Sequence, residues 1–128
     1  MARKAIYSGS KFEEIAGYSR ALVDDDWIFV SATSGFDPKS GTFPANAAEQ
    51  ARLALNTISE ALAKADSTMK DVLSVRVYLA DRGDVMAVSR ILGETFSDPR
   101  PTNTTILCGF PVEEIKVEIE LVARRQAR

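Results

Sequence analysis

Glu118 and Glu120 stand two residues apart in the run Ile115-Lys116-Val117-Glu118-Ile119-Glu120-Leu121. On a strand both carboxylates project from one face, and paired carboxylates can divide acid and base work between them. At ~3.3 Å per residue they lie ~6.6 Å apart along a single strand, whereas a glycosidase pair faces each other across the bond it cuts. As a bare pattern they read as a solvated strand face. Covered by another subunit, they would need a chemical reason to be there. Cys108 has no histidine to make its thiolate and reads as a small core residue. Ser31 closes an apolar run without a base beside it, which leaves it a hydrogen-bonding role. Arg76, between Ser74 and Tyr78, is either an ion-pair partner for Glu118 or Glu120 or a contact for an anion. Asp24-Asp25-Asp26 could hold a metal, but no further acid stands at calcium-loop spacing, so a polar hairpin turn is the better reading.

Composition narrows the chemistry. The 128 residues include no histidine and one cysteine. Ser-His-Asp triads, Cys-His pairs, histidine-ligated metals, intrachain disulfides and multi-cysteine zinc sites are therefore excluded. The seven glycines contain no Walker loop and no dinucleotide fingerprint. Sixteen basic residues against eighteen acidic ones leave a net charge of −2, so no basic footprint for nucleic acid or an anionic membrane is present. No apolar stretch follows Met1-Ala2-Arg3-Lys4, and no 18-residue apolar run occurs anywhere. The expectation is a cytoplasmic protein with neither secretory signal nor membrane span. The basic end, Arg124 to Arg128, reads as a solvated tail.

The elements that must position these residues follow from periodicity. Residues 1–128 read as a single domain. Tyr18–Val23 and Trp27–Ala32 are strand-like, and Gly35–Pro44 is a turn-rich loop. Asn46 opens a helix with Glu49 as capping-box partner, and Ala51, Leu55, Ile58 and Leu62 form its apolar face. Val72–Leu79 is a strand, with Leu73, Val75, Val77 and Leu79 facing one way. Asp84 can cap a second helix whose stripe is Val85, Val88 and Leu92; Pro99 and Pro101 bar its continuation. Strands over Thr102–Cys108 and Ile115–Ala123 complete the chain. Right-handed crossovers put both helices on the same sheet face, which gives an α/β (α+β) two-layer sandwich with a mixed sheet. Trp27–Ala32 is nevertheless apolar on both faces, Trp27 and Phe29 against Ile28, Val30 and Ala32. The helices can cover only one, so self-association through the sheet is expected.

The stretch Pro101-Thr102-Asn103-Thr104-Thr105-Ile106-Leu107, the Gly109-Phe110-Pro111 turn and Val117-Glu118-Ile119-Glu120-Leu121-Val122-Ala123 resemble the signature region of the YjgF/RidA family. These are small reactive-intermediate deaminases, once labelled endoribonuclease L-PSP. Ile15-Ala16-Gly17-Tyr18 resembles the family's Ile-Gly-Pro-Tyr. Ser31 with Asp37-Pro38-Lys39-Ser40-Gly41 resembles its serine and glycine loop, and Ala48-Glu49-Gln50-Ala51 the start of its first helix. The resemblance spans almost the whole chain.

It implies a chorismate-mutase-like fold and a homotrimer with a cleft at each subunit interface. It also implies hydrolysis of amino-acid enamines and imines to keto acids and ammonia, without metal or cofactor. The family's water-activating glutamate corresponds to Glu118, its cleft tyrosine to Tyr18 and its cleft serine to Ser31. Its substrate-carboxylate arginine is replaced by Asn103, which offers a neutral amide where a charged fork would be. Two readings follow. The first is a cofactor-free enamine or imine hydrolase in which Glu118 positions water and Asn103 with Thr105 hydrogen-bonds a neutral polar group. The second is a non-catalytic trimeric protein that binds a small metabolite in the same clefts. A nuclease, the older label, has little to work with in an acidic chain that lacks histidine.

Overall fold

The computed structural model describes residues 3–126. Six strands and three helices run in the order β1 (Lys4–Ile6), α1 (Lys11–Ala16), β2 (Ala21–Asp24), β3 (Trp27–Ser34), α2 (Ala47–Lys64), β4 (Val72–Leu79), α3 (Val85–Thr95), β5 (Thr102–Leu107) and β6 (Val117–Arg124). They form one mixed sheet in the order β1-β2-β3-β6-β4-β5. Only β4 and β5 pair in parallel; the other neighbours are antiparallel. The expected sandwich is what forms. Ala51, Ala54, Leu55, Ile58 and Leu62 of α2 and Val88, Ile91 and Leu92 of α3 are buried together with Ile28, Val30, Val75, Val77, Ile119 and Leu121 of the sheet.

Two elements escape a periodicity reading because they are too short to show one. β1 has three residues and α1 six. α1 is defined by its ends instead. The Ser10 hydroxyl accepts a hydrogen bond from the Phe12 amide at 3.3 Å, and Gly17 closes the helix at φ +75°. The amides of Gly17 and Tyr18 both donate to the Glu13 carbonyl, at 3.0 and 2.9 Å, a left-handed closure that glycine adopts without strain. A proline, locked near −65°, could not occupy this position. Tyr18 and Ser19 therefore belong to the connection, and the strand expected from Tyr18 begins at Ala21.

Two bulges correct the expected faces. Between Val30 and Thr33 the register of β3 against β6 shifts, so Ser31 and Ala32 together oppose Glu120. Thr33, rather than Ala32, then takes the buried position after Ile28 and Val30. A second shift between Val72 and Ser74 leaves Leu73 exposed rather than aligned with Val75, Val77 and Leu79.

Capping is also redistributed. The Asn46 Oδ1 accepts from the Glu49 amide at 3.1 Å as expected, while the Glu49 carboxylate is engaged by Arg52. Asp84 occupies the N-cap of α3 without a side-chain hydrogen bond; Asp81 caps the preceding 3-10 turn, accepting from the Gly83 amide at 2.7 Å.

The solvated C-terminal tail is corrected as well. Arg124 belongs to β6 and lies over the Trp27 ring at 5.6 Å. Arg125 donates to the Ala65 carbonyl at 3.2 Å and to the Asp25 carbonyl, pinning the end of α2 to the β2–β3 turn. Ala127 and Arg128, like Met1 and Ala2, lie outside the described residues.

A buried glutamine ties this frame to the candidate site. Gln50 donates to the carbonyls of Pro44 at 2.7 Å and Glu114 at 2.9 Å, and accepts from the Lys116 amide at 2.9 Å. Its side chain thus fixes the approach to β6, two residues before Glu118. Gly35 lies so close that a Cβ there would come within 2.4 Å of the Gln50 Cα, an approach only glycine permits.

Candidate functional site

The two sheet faces differ in kind. α2 and α3 cover one. On the other, Glu118, Glu120 and Val122 of β6 are half-buried. Residues directly opposed in register share a face, so Tyr78 beside Glu118 and Arg76 beside Glu120 join them. Leu22 and Phe29 share it through the β2–β3 pairing, and Phe29 is 47% exposed.

Burial pushes the Glu118 carboxyl above the usual glutamate range, while the charge of Arg20 pulls the other way. A carboxylate held in this way sits nearer neutrality in its proton affinity, as a base that must accept and release a proton requires. Glu120 is engaged differently, because the Tyr78 hydroxyl donates to it. That hydrogen bond, then burial and the Glu120 charge, raise the Tyr78 pKa against the opposing pull of Arg76. Glu120 thus holds a phenol, whereas Glu118 answers to a cation.

A trough of about 1040 Å³ runs along this face between α1 and the sheet, lined by Tyr7, Tyr18, Ser19, Phe29, Ser31 and Glu120 among others. It brings together two of the expected cleft residues. Tyr18 reaches it because Gly17 ends α1, and Ser31 because the bulge places it opposite Glu120. The Ser31 hydroxyl donates to the Ser19 carbonyl at 2.8 Å, so it braces the loop that carries Tyr18.

Asn103 and Thr105 are placed elsewhere. They sit on the edge strand β5, paired with the buried Val75 and Val77, and therefore have the parity of the helix-covered face. Both are exposed, and the Thr105 hydroxyl donates to the Asn103 Oδ1 at 2.8 Å. Asn103 lies two strands from β6, with Leu121 across from it through Val75. At strand spacings of ~4.8 Å and rises of ~3.3 Å, its Cα is roughly 14 Å from that of Glu118. Within one copy of the chain the two do not face a common small molecule.

The reading of chemistry-bearing residues missed Arg20 and Glu13. Arg20 is 7% exposed and Glu13 3%. The guanidinium meets the Glu13 carboxylate at 3.2 Å and donates to the Ala32 carbonyl at 2.9 Å and the Thr33 hydroxyl at 3.2 Å. It also lies over the Tyr18 ring at 5.5 Å. The available signal was a lone arginine directly before the apolar run Ala21-Leu22-Val23.

A family model described as Endoribonuclease L-PSP matches residues 8–125. A 2-iminobutanoate/2-iminopropanoate deaminase of Bos taurus is 32% identical, over 96% of this chain and 90% of its own length. An uncharacterized protein of Streptomyces coelicolor is 33% identical, over 98% and 95%. Among solved structures, a YjgF/YER057c/UK114 family member of Mycobacterium tuberculosis superposes with a TM-score of 0.88 at 30% identity, over 97% of this chain and all of that one.

Proposed function

The chain belongs to the Endoribonuclease L-PSP family, and from that premise we propose that it is a cofactor-free hydrolase of a small enamine or imine, working in the cytoplasm as a homotrimer. The observation that carries this reading is the half-buried Glu118 carboxyl, raised in pKa, on the sheet face that α2 and α3 leave open. The deaminase relative of Bos taurus supports the reaction class.

In the proposed mechanism an enamine first tautomerises to its imine. Glu118 takes a proton from water as the oxygen attacks the C=N carbon. That proton passes to nitrogen, giving a carbinolamine, whose collapse releases ammonia and leaves a carbonyl compound. Polarity comes from fixed protein groups, so no redox partner enters the balance.

The cleft is completed between copies. Tyr18, Ser31 and Glu118 come from one subunit, and the partner subunit's Asn103 and Thr105 come from an adjacent edge strand. An asparagine amide recognises a neutral polar group, so the substrate is one whose recognised end is not a carboxylate. The same substitution is what favours the second reading, a trimeric binding protein with the same clefts, which has no use for a water-activating carboxylate.

The pH dependence tests the role of Glu118. The carboxylate is the active form, and its pKa lies above the ordinary glutamate value. Hydrolysis should therefore fall as the pH drops through a midpoint higher than that of an unperturbed glutamate. Ammonia release measured from pH 4 to 9 on a neutral enamine reads this midpoint directly. A flat profile across the acid range would remove Glu118 as the base.

A further inference from the structure

We infer that Arg20, held by the buried carboxylate of Glu13, is the positioning residue of the Glu118 half-site: it fixes the β3 bulge and the Tyr18 ring, and its charge favours the ionised Glu118 carboxylate. The inference rests on the proposed role of Glu118 and adds two residues to it.

The Arg20 and Glu13 side chains are 9% and 2% exposed, and a buried ion pair often contributes no more to stability than apolar groups of the same volume. This one is nevertheless elaborated. The Glu13 carboxylate accepts from the Ser8 amide at 3.0 Å and from the Ser8 hydroxyl, in addition to Arg20 Nε at 3.2 Å. The other end of the fork donates to the Ala32 carbonyl and the Thr33 hydroxyl. The Thr33 hydroxyl in turn donates to the Ser31 carbonyl at 2.8 Å. Arg20 is thereby bound to both residues of the bulge or their immediate neighbour, and its guanidinium stacks at 5.5 Å on Tyr18. Two of the expected site residues, Tyr18 and Ser31, converge on this one side chain, and its charge acts on a third, Glu118.

The charges around Glu118 can be enumerated. Along β6 its same-parity neighbours are Glu120 and, just before the strand, the exposed Lys116; on β3 the residue opposite is Ser34, which is uncharged; on β4 the residue opposite is Tyr78, with Arg76 one position along the face. Glu120 is engaged by Tyr78. Arg20, just before β2, is the cation that acts on Glu118, and its guanidinium is paired with the Glu13 carboxylate of α1. Arg20 therefore favours the ionised carboxylate that takes a proton from water, and Glu13 keeps that bias from becoming so strong that the base is weakened.

The pair makes the test sharp, since the two partners should move Glu118 in opposite directions. The intact protein and its variants are labelled with [13C]glutamate, and the Glu118 carboxyl signal, assigned from its loss in Glu118→Gln, is followed by NMR against pH. Arg20→Gln should move the Glu118 midpoint upward, and Glu13→Gln should move it downward, because an uncompensated Arg20 acts more strongly. Arg20→Lys, which keeps the charge and loses the fork, should retain the midpoint while loosening the bulge, seen as faster amide exchange at Ser31 and Thr33. A general structural disturbance would move the midpoint in the same direction for both glutamine variants, and that result overturns the inference. So does an unchanged midpoint in folded Arg20→Gln. Should Arg20→Gln fail to fold by circular dichroism, Glu13→Gln and Arg20→Lys still decide the sign. The titration needs no substrate. Opposite shifts with no enamine turned over would leave this inference standing and remove the hydrolase reading.

Discussion

Replacing Asn103 with arginine is expected to raise hydrolysis of 2-iminobutanoate or 2-iminopropanoate by roughly 10- to 150-fold, from a basal rate near that of the uncatalysed reaction. The factor follows from the contact restored. A charge-assisted hydrogen bond contributes about 1.5–3 kcal/mol, and each ~1.4 kcal/mol is a factor of ten in affinity. The position tolerates the change, because Asn103 is exposed on an edge strand and bonded only locally to Thr105. Adding Glu118→Gln to that variant should abolish the gain, since the amide keeps the carboxyl's shape but cannot take a proton from water. The imines would be generated in situ by an amino-acid oxidase, and both variants checked for folding by circular dichroism. Strong hydrolysis by the unaltered protein would mean that another group, such as Arg76, already grips the carboxylate. No gain in folded Asn103→Arg would mean that the cleft has diverged beyond this position.

Disrupting the open sheet face should have an effect of comparable size on assembly. Trp27 and Phe29 are 43% and 47% exposed on one copy, and Ile106 and Leu107, on opposite faces of β5, are 48% and 43% exposed. Apolar surface of this extent on a small domain marks a place where another protein surface packs. Because Asn103 and Glu118 cannot reach one ligand within a single copy, assembly and activity should be lost together. Phe29→Glu and Ile106→Glu should each shift the light-scattering mass from about three times the 14.0 kDa chain mass toward one, with loss of hydrolysis. Retention of the trimer in both variants would place the interface elsewhere. A monomer that still turned over substrate would show that the site is complete within one chain.

The parts of this architecture legible from sequence are those in which one face is buried over many residues. α2 repeats its apolar positions through Ala51, Leu55, Ile58 and Leu62, and β6 alternates through Val117, Ile119, Leu121 and Ala123, so both could be placed before the fold was known. The bulges at Ser31–Ala32 and near Leu73 break the two-residue period without a glycine or proline to announce them, and the faces there were misread. α1 is too short for a period, and its defining feature is the left-handed turn at Gly17. Glu118 is proposed for the site from its place in Val-Glu-Ile-Glu, and Tyr18 and Ser31 from their motifs. The convergence of Tyr18 and Ser31 on Arg20 is not legible there, because a bridge between the residue before β2, a helix outside the expected strands and a bulge depends on tertiary register. The separation of Asn103 from Glu118 is likewise a consequence of strand order: neighbours in a motif fall on different strands and opposite faces.

The most direct test of the central claim, that Glu118 activates water for C=N hydrolysis, is ammonia release from a panel of neutral enamines, run in parallel on the unaltered protein and on Glu118→Gln. The account predicts release from at least one neutral enamine by the unaltered protein and none above the uncatalysed rate by folded Glu118→Gln. Equal release by the two proteins, or binding of the same compounds by the unaltered protein with no turnover of any of them, would contradict it.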